Sequence, residues 1–330
     1  MGELLDRVDR WQRAHSPAAF GFAVFRKFSQ DGASNLAALI SYYSFFSIFP
    51  LLLAGVTVLG YITDGNQGLY RKVFCSAVGS FPILNSAGAG HSGDQQIQCP
   101  NSTVTLSVHA LSGSPIALVV GLVLAIYSGL GVAKTAQSAL NRVYDVPQGD
   151  RPNFFSSIGR ALVLIVTVGL GLIVATFVGT AASSAGRLGL SFVGPGLRVV
   201  SVIASLAVLA VVFDVAFNWL TVHRTSWRSV LPGAVVAAVG YEIVSQVATA
   251  FIAHKASSSQ ATYGTFATVI AMLSWFYLTA QIVLIAAEVN VVRERRLWPR
   301  SLHGDPDTAA DQRAMELAVR RDRLDKVPSG

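Results

Sequence analysis

Four ionisable side chains lie inside long apolar stretches of this 330-residue chain. Glu242 lies near the middle of one stretch, and Asp214 lies in the final third of another. Glu288 and Lys134 lie near the ends of two more. An ionisable group at the centre of a membrane-inserted helix costs about 2.5–3.5 kcal/mol on insertion scales. Groups kept at that cost are candidates for relaying protons or for accompanying a polar substrate across a membrane.

Each of these four residues has polar companions at helical spacing. The sets are Glu242 with Gln246, Asp214 with Asn218, Gln281 with Glu288, and Lys134 with Asn141. Such stripes face protein or water in preference to lipid. We expect them to surround a polar cavity open to the cytoplasm, with Lys134 paired to Asp214 or Glu288. The structural alternative is hydrogen bonding between helices around one neutralised ion pair.

Signatures of common enzyme sites do not fit this sequence. Residues 88–93 have the form GxGxxG, but no strand precedes them, as a dinucleotide-binding turn requires. The sequence contains no P-loop, HExxH or GxSxG motif, and its six His are scattered. We therefore predict that the protein is not an enzyme and has no cofactor and no metal site. A membrane-embedded hydrolase is kept as a further alternative.

Apolar segments long enough to cross a bilayer carry these residues. Hydrophobic residues make up 52% of the chain and charged residues 13%, about half the charged fraction of a soluble domain. The segments lack the alternation of a membrane barrel, and each reaches the roughly 20 residues of a spanning helix. The predicted class is an all-α polytopic membrane protein with six transmembrane helices. The predicted spans are residues 33–61, 114–140, 157–184, 197–221, 229–253 and 263–292.

Lys and Arg are distributed unevenly among the connecting segments. If both termini are cytoplasmic, twenty of the 25 Lys and Arg residues lie on the cytoplasmic side. The positive-inside rule therefore predicts that both termini are inside. The net charge of +7 reflects this topology and contact with anionic headgroups, and it does not indicate nucleic-acid binding.

The predicted organisation has three parts. Residues 1–32 form a cytoplasmic N-terminus, in which apolar residues from Phe20 to Phe28 share one face of an interfacial amphipathic helix. Residues 33–294 form the six-helix transmembrane domain. Residues 295–330 form a charged cytoplasmic tail that is either a soluble helix or disordered.

The predicted extracytoplasmic loop, residues 62–113, contains the only two cysteines, Cys75 and Cys99. Because this loop is predicted to face an oxidising compartment, we expect a structural disulfide, with two free thiols as the alternative. In the first span, Pro50 removes a backbone donor and is expected to kink the helix.

Four ordered motifs between residues 41 and 290 carry a family resemblance. They are SYYSFFSIFPLL at 41–52, ALNRVY at 139–144, tryptophan followed by LPGA within 227–234, and YG, W and AEVN within 263–290. Together they resemble the YihY/BrkB family of bacterial inner-membrane proteins, the group that includes YhjD. The family's usual Gly before Ala-Glu is Ala286 here.

The resemblance implies a six-helix plasma-membrane protein with both termini inside. It links the chain to virulence, envelope integrity, serum resistance or the movement of lipidic envelope precursors. The family's former label, ribonuclease BN, is regarded as a misassignment. The sequence agrees, since RNA hydrolysis needs a metal cluster or an acid/base pair on a water-facing domain.

The motif positions are expected to form one lipid-binding region at the cytoplasmic face. They are Asn141, Arg142, Tyr144, Pro232, Gly233, Glu288 and Asn290. Arg142 is placed to hold a lipid phosphate. Pro232 and Gly233 are expected to begin the fifth span with a helix N-terminus, which is an anion site.

Two functional hypotheses follow. The first is a transporter that moves an amphiphilic, anionic lipid or envelope precursor between leaflets, by equilibration or through an ion gradient acting on Glu242 or Glu288. The second is a non-transporting scaffold that binds envelope-assembly proteins through its outer loop and tail. Membrane lipids are the expected partners in both, and the sequence leaves the substrate and the oligomeric state open.

Overall fold

A computed structural model of the protein contains helices and turns, and no strand, in the residues that it describes. These are residues 2–62, 115–147, 155–167, 194–221, 226–255, 264–302 and 308–325, with isolated positions between them. The predicted all-α class is confirmed. Cys75 and Cys99 fall outside the described residues, so the disulfide stays a prediction.

The helices are numbered in chain order over this part of the chain. They are α1 (Gly2–Ala14), α2 (Ser16–Gln30), α3 (Ala33–Ile62), α4 (Pro115–Val143), α5 (Phe155–Thr167), α6 (Gly194–Leu220), α7 (Trp227–Lys255), α8 (Gly264–Glu294) and α9 (Ala309–Asp325).

Five helices, α3, α4, α6, α7 and α8, are long and apolar enough to cross a membrane. Each begins and ends within three residues of the predicted span. A helix satisfies its backbone hydrogen bonds internally, so an uninterrupted apolar run of this length is stable in hydrocarbon. The third predicted span is described mainly by α5, a shorter apolar helix. The count of six spans therefore stays a prediction.

The tightest packing lies where α3 and α7 begin and where α4, α6 and α8 end. Large side chains with almost no exposure are concentrated there, among them Tyr144, Phe217, Leu220, Leu284 and Leu297. We call this region, with the segments that follow α4 and α8, the charged end, because ionised side chains surround its core. It is the end that the distribution of Lys and Arg predicts to be cytoplasmic.

Helix α2 packs on α8 with much of its apolar face. Ala23 and Val24 are buried in the main core, and Phe20 and Phe28 pack against it. Only Phe25 of the predicted interfacial face is strongly exposed, at 69%. The apolar face expected to meet the membrane interface therefore meets protein over most of its length.

Within the predicted charged tail, the structure describes a helix that docks on the bundle. Helix α9 covers Ala309–Asp325, and Ala310 is buried at its start. Ala314 and Leu317 pack against the main core. The tail therefore belongs to the folded body at the charged end.

Helices α7 and α8 approach closely at Gly233. The backbone N–H of Gly233 donates to Asn290 Oδ1 at 2.7 Å. A Cβ at position 233 would lie 2.3 Å from the carbonyl oxygen of Ala286 and 2.4 Å from Asn290 Nδ2. Because one neighbour is backbone, the contact cannot be relieved by a side-chain rotation. Only glycine fits here without moving a helix.

We predict that Gly233→Ala lowers the free energy of unfolding by about 1–3 kcal/mol, because the added methyl overpacks the α7–α8 contact. Thermal unfolding of purified protein in detergent measures the change. Gly55→Ala is the matched control, since Gly55 lies in α3 and a Cβ there meets nothing within 4 Å. Equal effects of the two substitutions would contradict the packing argument.

Candidate functional site

Glu288 is fully buried in α8, at 0% exposure. Lys27 on α2 lies beside it, with 3.4 Å between Lys27 Nζ and Glu288 Oε2. Neither carboxylate oxygen has a hydrogen-bond partner among the described residues. The partner expected from the sequence was Lys134, and that expectation is wrong for Glu288. The reason is that α2 folds back across α8 and brings Lys27 to the end of the span.

The Lys27 ammonium connects three carboxylates. It donates to Asp31 one turn later, lies 3.5 Å from Asp145 and faces Glu288. It also donates to the carbonyl oxygen of Val143 at 2.9 Å. Burial lowers the pKa of Lys27, but the three carboxylates outweigh burial and hold that pKa above its usual value. The ammonium therefore stays charged inside the protein.

Two arginines complete the charge balance. Arg295, just after α8, pairs with Asp145 and donates to the carbonyl oxygen of Tyr144 at 2.6 Å. Arg321 on α9 reaches Asp31 and Asp145, at 3.0 Å each. Three basic side chains thus face three acidic ones. We call these six side chains the ion cluster: Lys27, Arg295, Arg321, Asp31, Asp145 and Glu288.

The ion cluster is costly as a purely structural device. Each buried ion loses several kcal/mol of hydration free energy, and apolar residues of similar size often stabilise such a site equally well. Buried ion pairs are better attested as devices that specify or switch a packing arrangement. The cluster is therefore the leading candidate for a functional element at this end.

The residues of the ALNRVY motif lie beside the cluster. Arg142 donates through Nε to the backbone oxygen of Asp31 at 2.8 Å, while its side chain is otherwise exposed. Asn141 and Tyr144 are buried, at 2% and 1% exposure. Burial raises the pKa of Tyr144 to about 12, so its phenol is neutral at physiological pH. The lipid-phosphate role of Arg142 stays a prediction.

Asn290, in the fourth motif, contacts the second and third motifs. Its Nδ2 donates to the Tyr144 hydroxyl at 3.4 Å, and its Oδ1 accepts from the backbone of Gly233. The structure thus brings the predicted motif positions together at one end of the bundle. Their role in binding a lipid stays a prediction.

Pro232 and Gly233 do not begin the fifth span, contrary to expectation. Helix α7 begins at Trp227, so both residues lie in its second turn. The Gly233 N–H is already bonded to Asn290 and cannot receive an anion. The predicted anion site at these two residues is wrong, because helical structure begins one turn earlier than the proline suggested.

Glu242 and Gln246 form a polar pair midway along α7. Gln246 Nε2 donates to Glu242 Oε1 at 2.8 Å. Gln246 is exposed and Glu242 is half-buried, and their neighbours Val239 and Ile243 are exposed. This pair therefore lies on the side of α7 that faces away from the core. The sequence predicted an inward stripe, because helical spacing shows which residues share a face but not what that face meets.

Asp214 on α6 is nearly buried, at 9% exposure. Its Oδ2 accepts from Asn218 Nδ2 at 3.3 Å, one turn along the same helix. Its Oδ1 has no hydrogen-bond partner among the described residues. The expected pairing of Asp214 with Lys134 stays a prediction. Lys134 and Gln281 are both half-buried, on α4 and α8.

The predicted cavity around these stripes stays a prediction. Among the described residues, Glu288 is sealed by its neighbours, and a cleft of about 320 Å³ lies outside the cluster, between α2 and α9. Among the described residues, no group of three or more His, Cys, Asp or Glu is placed to hold a metal ion.

Sequence reasoning missed five of the six cluster members. Asp145 directly follows the ALNRVY motif, and Arg295 lies five residues after Asn290. The position of Asp145 and Arg295 next to motifs could have identified them as candidate site residues. No local feature of the sequence could have identified Arg321, because nothing in the tail indicates that α9 returns to the bundle.

A second set of bonds holds the start of α9. The Asp311 carboxylate accepts from Arg300 Nε at 3.0 Å, from Arg26 at 3.1 Å, from the Ser301 backbone at 2.9 Å and from Thr308 Oγ1 at 2.7 Å. Burial alone raises the pKa of Asp311, but these donors outweigh it and lower that pKa below 3.8. Asp311 is therefore an ionised anchor at neutral pH.

Comparison with known proteins agrees with the four motifs. Residues 24–311 match the model of the family described as Virulence factor BrkB. The chain belongs to the BrkB family. The family match leaves α1 and nearly all of α9 outside it, although both helices contact the charged end.

Relatives of this BrkB-family chain are bacterial proteins, mostly named as membrane proteins. It is 24% identical to the putative ribonuclease-like protein YfkH of Bacillus subtilis, over 83% of the chain and 94% of YfkH. It is 23% identical to the inner membrane protein YhjD of Escherichia coli, over 83% of the chain and 80% of YhjD. It is 27% identical to a UPF0761 membrane protein of Alcanivorax borkumensis, over 84% of the chain and 61% of that protein. No solved structure matches the chain.

These matches and the apolar helices identify an integral, multi-pass inner-membrane protein of the BrkB/UPF0761 family. The predicted family is confirmed. The words "ribonuclease-like" belong to the name of YfkH, and other relatives are named simply as membrane proteins. The orientation with both termini inside stays a prediction.

We predict that Lys27→Met destabilises the protein far more than Glu288→Gln does. Removing the ammonium leaves three carboxylates facing two arginines, which costs about 3–5 kcal/mol for an uncompensated buried charge. Removing the Glu288 charge leaves Lys27 with two carboxylates, and we expect a cost of about 1 kcal/mol. Denaturant or thermal unfolding in detergent measures both. Equal costs would show that the cluster is not organised around Lys27.

We also predict an acid-dependent loss of the Asp311 anchor. Its folded-state pKa is lowered, so its stabilisation is complete above the usual value of 3.8 and is lost as pH falls through the lowered value. The stability difference between the natural protein and Asp311→Asn is therefore largest near pH 7 and shrinks below about pH 4. Unfolding temperatures across this range measure it. A difference that stays constant down to about pH 3 would contradict the anchor role.

Proposed function

We propose that this BrkB-family protein moves an amphiphilic, anionic lipid or envelope precursor between the leaflets of the inner membrane. The charged end is its cytoplasmic gate. The observation that carries the proposal is a contrast within the bundle. Six charged side chains seal the charged end, whereas the polar pair Glu242–Gln246 lies at mid-span on an outer face of α7.

Ion pairs suit a gate because water can replace them. An apolar core loses its stabilisation when opened, but ions regain hydration, which offsets the lost contacts. The closed and open arrangements of such a cluster can therefore lie within a few kcal/mol of each other, as a two-state element requires. The ion cluster links α2, the segment after α4, α8 and α9, so its opening would separate these elements.

The Glu242–Gln246 pair supports a route for a headgroup along α7. A polar headgroup that crosses the midplane loses its hydration and meets hydrocarbon, which gives a free-energy barrier to its movement. Polar side chains at the same depth lower this barrier, because they replace part of the lost hydration. Passage of the headgroup would be coupled to an ion gradient acting on Glu242. The exposed guanidinium of Arg142 would collect the headgroup at the charged end.

The scaffold hypothesis also has specific support. Glu288 and Asp214 are almost sealed from solvent, so their stripes act within the described bundle as packing contacts. Helix α9 exposes Met315, Val319 and Leu324, which an assembly partner could cover. In this alternative the protein binds envelope-assembly proteins through its outer loop and tail and moves no lipid.

Leaflet exchange in liposomes tests the transport proposal. Vesicles with purified protein and a fluorescent anionic phospholipid are expected to exchange lipid at least about tenfold faster than empty vesicles, a barrier lower by about 1.4 kcal/mol. An imposed pH gradient is expected to change that rate. Glu242→Gln should remove the response to the gradient, because an amide cannot gain or lose a proton. Ile243→Ala, the adjacent exposed position on α7, should keep it.

Exchange no faster than in empty vesicles, for phospholipids and lipid-linked precursors alike, would overturn transport. The scaffold hypothesis then makes the opposite prediction in cells. Glu242→Gln and Glu288→Gln would leave envelope phenotypes intact, and deletion of residues 62–113 would abolish them.

A further inference from the structure

We infer that α9 is a hinged lid over the charged end, held shut by Arg321. The lid goes beyond the proposed transport function, because it can be present whether or not the protein moves lipid. It also lies almost entirely outside the residues that match the family, which end at 311. The lid is thus an addition to the family's core.

The start of α9 is firmly anchored. Asp311 is only 3% exposed and receives hydrogen bonds from Arg26, Arg300 and Thr308. Thr308 also caps the helix, since its Oγ1 accepts from the backbone N–H of Asp311 at 3.1 Å. These bonds come from α2 and from the segment after α8. This point therefore acts as the hinge.

The second half of α9 is attached differently. Arg321 pairs there with Asp31 and Asp145, and the Arg321 side chain is 11% exposed. The surrounding residues Val319, Arg320 and Arg323 are exposed. The attachment of this half therefore rests on the Arg321 ion pairs and on Leu317, which packs against the main core.

The space beneath the lid is not filled by packed side chains. The cleft of about 320 Å³ is lined by residues of α2, of the segments after α4 and α8, and of α9, among them Lys27, Gln30, Asp145, Leu297 and Ala318. Lifting the second half of α9 therefore separates Leu317 from the main core and breaks the Arg321 ion pairs.

Release of Arg321 changes the charge balance of the ion cluster. Asp31 would then keep only Lys27 as its cationic partner, and Asp145 would keep Lys27 and Arg295. A buried carboxylate that loses a cationic partner is destabilised, which favours entry of water or of another cation. Opening of the lid therefore favours opening of the whole charged end. A closed lid holds that end shut.

Hydrogen–deuterium exchange of the full chain in lipid nanodiscs tests the lid. Arg321→Gln removes the charge, and Arg320→Gln is the matched control, one residue away and exposed. Only Arg321→Gln loses charge-assisted hydrogen bonds to Asp31 and Asp145. We therefore expect the backbone amides of residues 315–321 to exchange at least about tenfold faster in Arg321→Gln than in Arg320→Gln. Residues 309–313 should keep their protection in both variants, because the Asp311 anchor is intact.

Two outcomes would overturn the inference. Equal exchange of 315–321 in the two variants would show that Arg321 does not hold the helix. Equal loss of protection along all of α9 would show that there is no hinge at Asp311. No lipid transfer enters this experiment, so its failure and that of the transport proposal are distinguishable.

Discussion

The charged end depends on the buried ammonium of Lys27. One cation among three carboxylates is stable only when every partner is in place, since an ion without a partner in a protein interior loses several kcal/mol of hydration free energy. Helix α2 must fold back across α8, and Gly32, with a positive φ of 64°, provides the turn that leads into α3. The end of α4 and helix α9 must then supply Asp145 and Arg321. This mutual dependence couples elements that are far apart in the sequence.

The rest of the bundle is held together by contacts of a different kind. In lipid there is little hydrophobic drive for helices to associate, so close packing of small residues takes its place. Ala234, Ala237, Ala286 and Ala287 are fully buried where α7 meets α8, and Gly233 allows the backbone hydrogen bond with Asn290. Such packing fixes helix pairs rigidly. The ion cluster, whose members can be rehydrated, is the part of the structure best suited to change.

Two layers can be distinguished at the charged end. The inner layer consists of Lys27, Asp145 and Glu288, all within the family match, and joins the membrane helices directly. The outer layer is α9, which adds Arg321 and is anchored at Asp311. The outer layer therefore adds a cationic partner to Asp31 and Asp145.

Local features of the sequence determined the helical class, the bounds of the described spans and the family, because apolar length and motif order are read along the chain. They also identified Glu288 as significant, since an ionisable residue within an apolar segment is visible along the chain. Only the tertiary structure decided that this partner is Lys27 and not Lys134, that Glu242 faces outward and that the tail docks. Those outcomes depend on where α2 and α9 return to the bundle, and such long-range contacts leave no periodic trace in the sequence.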